Sequence, residues 1–188
     1  MKKLAILFTL VAVLCLVLNV FAQEAKKADA KYQYVGVKKC KMCHKGPKKG
    51  NIYEKWTKRK HSKAYATLAT DEAKKVAKEA GVKGDPQQAP ECLVCHVTGY
   101  NAPAGQKAAT LTLEEGVSCE ACHGPGSKYK SLKVMKGVFK GTMKGADYGL
   151  IEPDEKICTT CHNPKSPTYK EFKFDVESKT IAHPLPKK

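Results

Sequence analysis

Arginine is almost missing from this chain: of 34 basic residues, Arg59 is the single one. Readout of nucleic-acid bases leans on arginine's bidentate fork, so positive charge carried by lysine argues against a nucleic-acid partner. Aromatic residues are also few, at 7%, with Trp56 the only tryptophan. A large self-sufficient core is excluded on that count, and the lysine-rich remainder approaches the composition of a disordered segment. Histidine is limited to six residues, and Cys15 is the only cysteine outside one repeated pattern. No acid–base or nucleophile–base constellation stands out, so no catalytic residue is assigned.

What is present is Cys-x-x-Cys-His, four times: Cys40–His44, Cys92–His96, Cys119–His123 and Cys158–His162. This is the form of a c-type haem attachment site, in which two thioethers hold the porphyrin and the histidine reaches the iron as proximal ligand. The implied cofactors are four covalently bound haem c groups. Their anchors are Cys40, Cys43, Cys92, Cys95, Cys119, Cys122, Cys158 and Cys161, and their iron ligands His44, His96, His123 and His162. Zinc ribbons also use Cys-x-x-Cys pairs, and small secreted proteins carry disulfide frameworks. Neither requires a histidine directly after every second cysteine.

Residues 1–22 read as a secretory signal peptide, with Lys2 and Lys3 ahead of an apolar stretch from Leu4 to Val20 and a cut after Ala22. Cys15 lies in that stretch without the small preceding residue of a lipoprotein site and is left out of the chemistry. Left uncleaved, the stretch is long enough to act as a membrane anchor. Export suits the haem reading, because covalent attachment occurs outside the inner membrane, and implies a periplasmic location. Residues 23–188 then form one tetrahaem domain. Removing Lys2 and Lys3 lowers the formal charge from +16 to +14, and the haem propionates leave the protein basic. Such charge serves solubility, or steers the protein onto redox partners with acidic docking surfaces or an anionic membrane surface.

The expected fold is mainly α with much irregular structure, compact around its haems, with little or no β-sheet. Asn51 is positioned to cap a helix carrying Ile52, Tyr53 and Trp56 and extending toward His61 and Tyr65. Asp71 opens a second helix that stops at Gly81, and Gly84–Pro90 is a turn-rich linker. Thr112-Leu-Glu-Glu115 fits a capping box, and Ser127 opens a helix closed by Gly137. Pro153 and Asp154 start the helix of the fourth motif. Glu171–Glu177 alternates apolar and polar residues and reads as a lone strand or extended segment.

Four irons have eight axial positions for six histidines, so the haems cannot all be alike. His61 and His183 are the only histidines outside the motifs and are predicted as distal ligands, each to a haem other than its nearest in sequence. Met135, Met143 and Tyr129 are further candidates, with packing as their competing use. The default is one or two five-coordinate haems able to bind a small gaseous ligand.

Several segments resemble the tetrahaem cytochrome c-554 family: Lys39–Lys45, Trp56–Ala64 around His61, Cys92–Tyr100, Gly116–Gly126, and Phe172–Asp175 with His183. The resemblance implies a mostly helical fold with closely packed haem pairs passing electrons among four irons. It implies three bis-histidine haems and one five-coordinate haem, the latter bound through Cys92, Cys95 and His96. His61 and His183 match two of the family's distal histidines. The third lies beyond the Gly-Pro-Gly turn, where this chain has no histidine between His123 and His162. The function expected is electron transfer between redox partners; the alternatives are reduction of nitric oxide or another nitrogen oxide at an open haem, or a structural haem conduit.

Overall fold

The computed structural model describes residues 31–183; the expected signal peptide lies outside them. The described residues form nine short α-helices: α1 Val37–His44, α2 Ile52–Thr57, α3 Ala64–Thr67, α4 Asp71–Glu79, α5 Pro90–His96, α6 Cys119–His123, α7 Leu132–Phe139, α8 Glu155–Thr159 and α9 Phe174–Ile181. Turns and 3-10 segments join them. Among the described residues there is no strand, only an isolated parallel bridge between Tyr34 and Lys107. The helical, irregular fold expected from the sequence is therefore the one observed. No helix among these residues is long and apolar enough to cross a membrane.

Local chemistry sets the helix ends, not always at the expected residue. The α4 cap is Thr70, whose hydroxyl accepts from Ala73 N at 3.2 Å, while Asp71 sits inside the first turn and favours it electrostatically. Asn51 precedes α2 but has φ 51° and makes no side-chain cap bond. That helix stops at Thr57, leaving His61 on a separate 3-10 turn, Lys60–Lys63, and Tyr65 on α3. Ser131 rather than Ser127 caps α7, accepting from Val134 N at 3.3 Å, and Gly137 lies within the helix because Met143 packs onto its bare backbone. Asp154 caps α8 as expected, accepting from Ile157 N at 3.0 Å. Thr112–Glu115 forms no capping box: Glu115 instead accepts from Val37 N at 2.7 Å. The expected extended segment at 171–177 is helical from Phe174 onward. Among the described residues no strand exists for it to pair with, and Phe174 and Ile181 share a helix face as well as Phe172, Phe174 and Val176 would share a strand face.

The apolar core is small. Leu68, Leu93 and Val97 form its centre, with Tyr65, Cys92 and Tyr100 packed around them, so that α3 and α5 meet. A buried carboxylate organises the other half. Glu120 is 1% exposed and accepts from Val35 N at 2.9 Å, Gly36 N at 2.7 Å and Gly126 N at 2.6 Å. It thereby ties the start of α1 to the turn after α6, and α1 packs on α6. Burial pushes its carboxyl up, against the pull of the three N–H donors. Elsewhere large apolar side chains remain outside: Met42 is 76% exposed, Leu132 58% and Val176 57%.

Candidate functional site

The four Cys-x-x-Cys-His segments sit on short helices or the turns that end them. The first three lie within α1, α5 and α6, each ending at its histidine; the fourth begins on α8 and places Cys161 and His162 in the following turn. They are brought together in pairs. Cys119 is the largest influence raising Cys40, and the helices that carry them, α1 and α6, pack together. Cys95 is pushed up to about 11 by burial and then by Cys161, and Cys122 to about 11 by burial and then by Cys158. First motif thus adjoins third, second adjoins fourth, and third adjoins fourth. The eight described cysteines are all unbridged, Cys43 being exposed and the others partly buried.

The histidines are organised over the whole chain. His61 stands edge-on to His162, ring centroids 6.0 Å apart and planes at 76°. His183 stands 5.9 Å from His123, with planes at 48°. Each pair unites one motif histidine with one of the two outside the motifs, and in neither case is the motif the nearest in sequence. His44 lies in the same neighbourhood as His183 and His123, while His96 is a member of neither ring pair.

Backbone contacts fix this placement. The carbonyl of His61 accepts from Val117 N at 3.0 Å, and Trp56 Nε1 donates to Val117 O at 3.0 Å, so the His61 turn is pinned to the lead-in of the third motif. Gly116 makes this approach possible. It has φ 63°, and a Cβ there would lie 2.8 Å from the His61 carbonyl oxygen. His96 Nδ1 hydrogen-bonds the Ala64 carbonyl at 2.8 Å, and His123 Nδ1 contacts the Ile151 carbonyl at 3.4 Å, orienting both rings. Phe172 stacks on His162 at 4.8 Å and 20°. The sequence held no signal for Ala64 and Ile151, which act through the main chain. Glu120 had a weak one, a carboxylate inside a Cys-x-x-Cys pair.

The donor set fits haem. Two imidazoles on opposite sides of one metal ion, each at a metal–nitrogen bond of ~2 Å, have centroids ~6 Å apart, the separation in both pairs. His96 Nδ1 and His123 Nδ1 face backbone carbonyls, which leaves Nε2 of each ring free to ligate iron. Burial is the largest cause holding His44, His61, His123 and His183 below the ordinary histidine range, which keeps them in the neutral, metal-ligating form. Among the described residues, no three or more His, Cys, Asp or Glu side chains converge as a metal cage. An axial pair is instead what a porphyrin, supplying the other four nitrogens, calls for. Of the remaining candidates, Tyr129 is buried with its hydroxyl donating to Gly124 O at 2.7 Å, and burial, then Glu120, raise its phenol far above the usual range.

A family model described as cytochrome c554 and c-prime matches residues 39–124, a span holding the first three motifs and His61. Cytochrome c-554 of Nitrosomonas europaea is 32% identical over 154 residues, covering 74% of this chain. The chain belongs to the cytochrome c554 family. The match covers 60% of that relative's length. The solved reduced state of cytochrome c554 from the same organism is 26% identical, covers 79% of this chain and 78% of its own, and superposes with a TM-score of 0.49. Membership makes the cofactor class haem c, bound covalently, with iron as its metal.

Proposed function

We propose that the protein is a periplasmic tetrahaem electron carrier. The observation that carries the reading is the double pairing of His61 with His162 and His183 with His123, each at about the separation of two imidazoles on one iron. Cys40 and Cys43, Cys92 and Cys95, Cys119 and Cys122, and Cys158 and Cys161 anchor the four haems. His44, His96, His123 and His162 are the proximal ligands, with His61 distal to the fourth haem and His183 to the third. His96 has no second histidine opposite, so the second haem is five-coordinate.

Bound haem c supplies a one-electron couple at iron. The chain's part is to hold the imidazoles rigidly and to bring the attachment sites side by side. The Ala64 and Ile151 carbonyls and the Phe172 ring restrict rotation of His96, His123 and His162. Cys40 beside Cys119, Cys95 beside Cys161 and Cys122 near Cys158 place all four sites in one connected series.

An acidic redox protein is the proposed partner, docking over the first motif. Between Lys38 and Lys63 there are eleven basic residues and one acid, Glu54. Lys45, Lys48, Lys49, Lys58 and Lys60 in this stretch are exposed. Among the described residues, the ion pairs are Lys74–Asp71 and Lys173–Glu171, so the stretch keeps its charge available for steering.

The test is a haem count by pyridine haemochrome on the exported holo-protein, with a reductive titration. Four haems per chain, each reduced reversibly, are expected. Fewer than four, or consumption of electrons by turnover without an added partner, would overturn the carrier reading.

A further inference from the structure

The histidine pairs leave two motif histidines unmatched, and their identity has a consequence for the first haem. His61 and His183 are used by His162 and His123, and the six histidines of the chain are then exhausted. His44 and His96 remain. Tyr129 and Met143, two of the other candidates, are engaged elsewhere. Tyr129 is 7% exposed and commits its hydroxyl to the Gly124 carbonyl at 2.7 Å. The Met143 sulfur lies over Gly137, 2.6 Å from where a Cβ would stand, and Met135 is on α7, which packs against the Gly145–Tyr148 turn. His44 is half-buried, and its Nδ1 makes no hydrogen bond. Cys43 is exposed and Met42 is 76% exposed, so this attachment site opens directly to the surface.

We propose that the haem held by Cys40, Cys43 and His44 has an open iron that binds a small neutral diatomic molecule, giving the protein two ligand-binding haems, at the first and second motifs. This rests on the tetrahaem reading above. His183 neighbours both His44 and His123, but the ring-to-ring pair is with His123 at 5.9 Å. The third haem is therefore closed, and the first is left with one protein ligand. The two motifs also differ in setting: Cys40–His44 lies within the basic stretch proposed for docking, whereas Cys92 and Leu93 of the second motif pack into the α3–α5 core.

Carbon monoxide is the probe. The reduced holo-protein is titrated with it, and the oxidised form is examined by low-temperature EPR. Two equivalents of carbon monoxide, with two high-spin and two low-spin haems, are expected. One equivalent or none, a tyrosinate signature by resonance Raman, or a histidine–methionine low-spin signal would overturn the proposal. Two deletion variants locate the site, and either alone suffices. Cys40→Ala with Cys43→Ala should lower carbon monoxide uptake from two to one and keep both low-spin haems. Cys119→Ala with Cys122→Ala should keep uptake at two and lose one low-spin haem. The reverse pattern places His183 on the first haem and overturns the assignment. If a variant yields no holo-protein, the wild-type stoichiometry still decides whether there are two open irons. A wild-type haem count below four contradicts the tetrahaem reading itself, a failure separate from a four-haem protein with a single open iron.

Discussion

His61 faces His162 across the fold with ring centroids 6.0 Å apart, and the His61 carbonyl is hydrogen-bonded to Val117, just ahead of the third motif. One short 3-10 turn thus connects the fourth attachment site to the third. The turn is held through backbone atoms, so His61 can be replaced without removing what positions it.

Replacing His61 by alanine should convert one low-spin haem to high-spin while haem content stays at four per chain. Carbon monoxide uptake by the reduced protein should rise by one equivalent. EPR and a carbon monoxide titration check both; an unchanged low-spin count would show that His61 is not a ligand.

Acid should displace the distal histidines below the free-histidine range. Burial, with His162 for His61 and Lys55 for His183, depresses both groups. A histidine depressed in the folded state contributes stability that is complete above the unfolded pKa of ~6.5 and is lost as pH falls from there to the folded value. The low-spin spectrum should therefore persist on acidification through pH ~6.5 and give way below it. A transition centred at or above that pH contradicts the expectation.

Glu120 should be among the most sensitive positions for stability. Glu120→Ala leaves the N–H groups of Val35, Gly36 and Gly126 buried without their acceptor, at a cost of about 3 kcal/mol or more. Glu120→Gln should recover only part, because its NH2 group faces donors. Gly116→Ala should also destabilise and loosen His61, since its Cβ would collide with the His61 carbonyl. Denaturant unfolding of the holo-protein measures all three.

Electron transfer with an acidic partner should slow as ionic strength rises. Lys48→Glu together with Lys49→Glu should lower the association rate several-fold at low salt while leaving the haem spectrum unchanged. Stopped-flow kinetics over a salt series tests this, and a salt-independent rate would exclude docking through the Lys38–Lys63 stretch.

Without haem the chain should not hold its fold. Its core centres on Leu68, Leu93 and Val97, and large apolar residues such as Leu132 and Val176 stay exposed. Binding would then contribute the folding free energy. The apo-protein is expected to lack near-UV circular dichroism and to be protease-sensitive.

The haem c class was legible because its signature is local: two cysteines at fixed spacing and a histidine one residue on. Helix content and the absence of sheet were legible from short periodic stretches between glycines and prolines. The ends of α2 and α7 were not. Asn51 and Ser127 carry suitable side chains, but the backbone angles and neighbours decide which residue caps. Residues 171–177 were misread as extended because their apolar spacing fits both periods, and the choice depended on whether a partner strand existed.

The sequence by itself determined the cofactor class, through Cys-x-x-Cys-His, and a shortage of histidine that makes the haems unequal. Only the tertiary structure decided which histidines stand together in pairs. Pairing His61 with His162 and His183 with His123 joins residues far apart along the chain, and it depends on contacts such as Gly116 against the His61 carbonyl. Such contacts are made by main-chain atoms that every residue carries, so no side-chain pattern announces them.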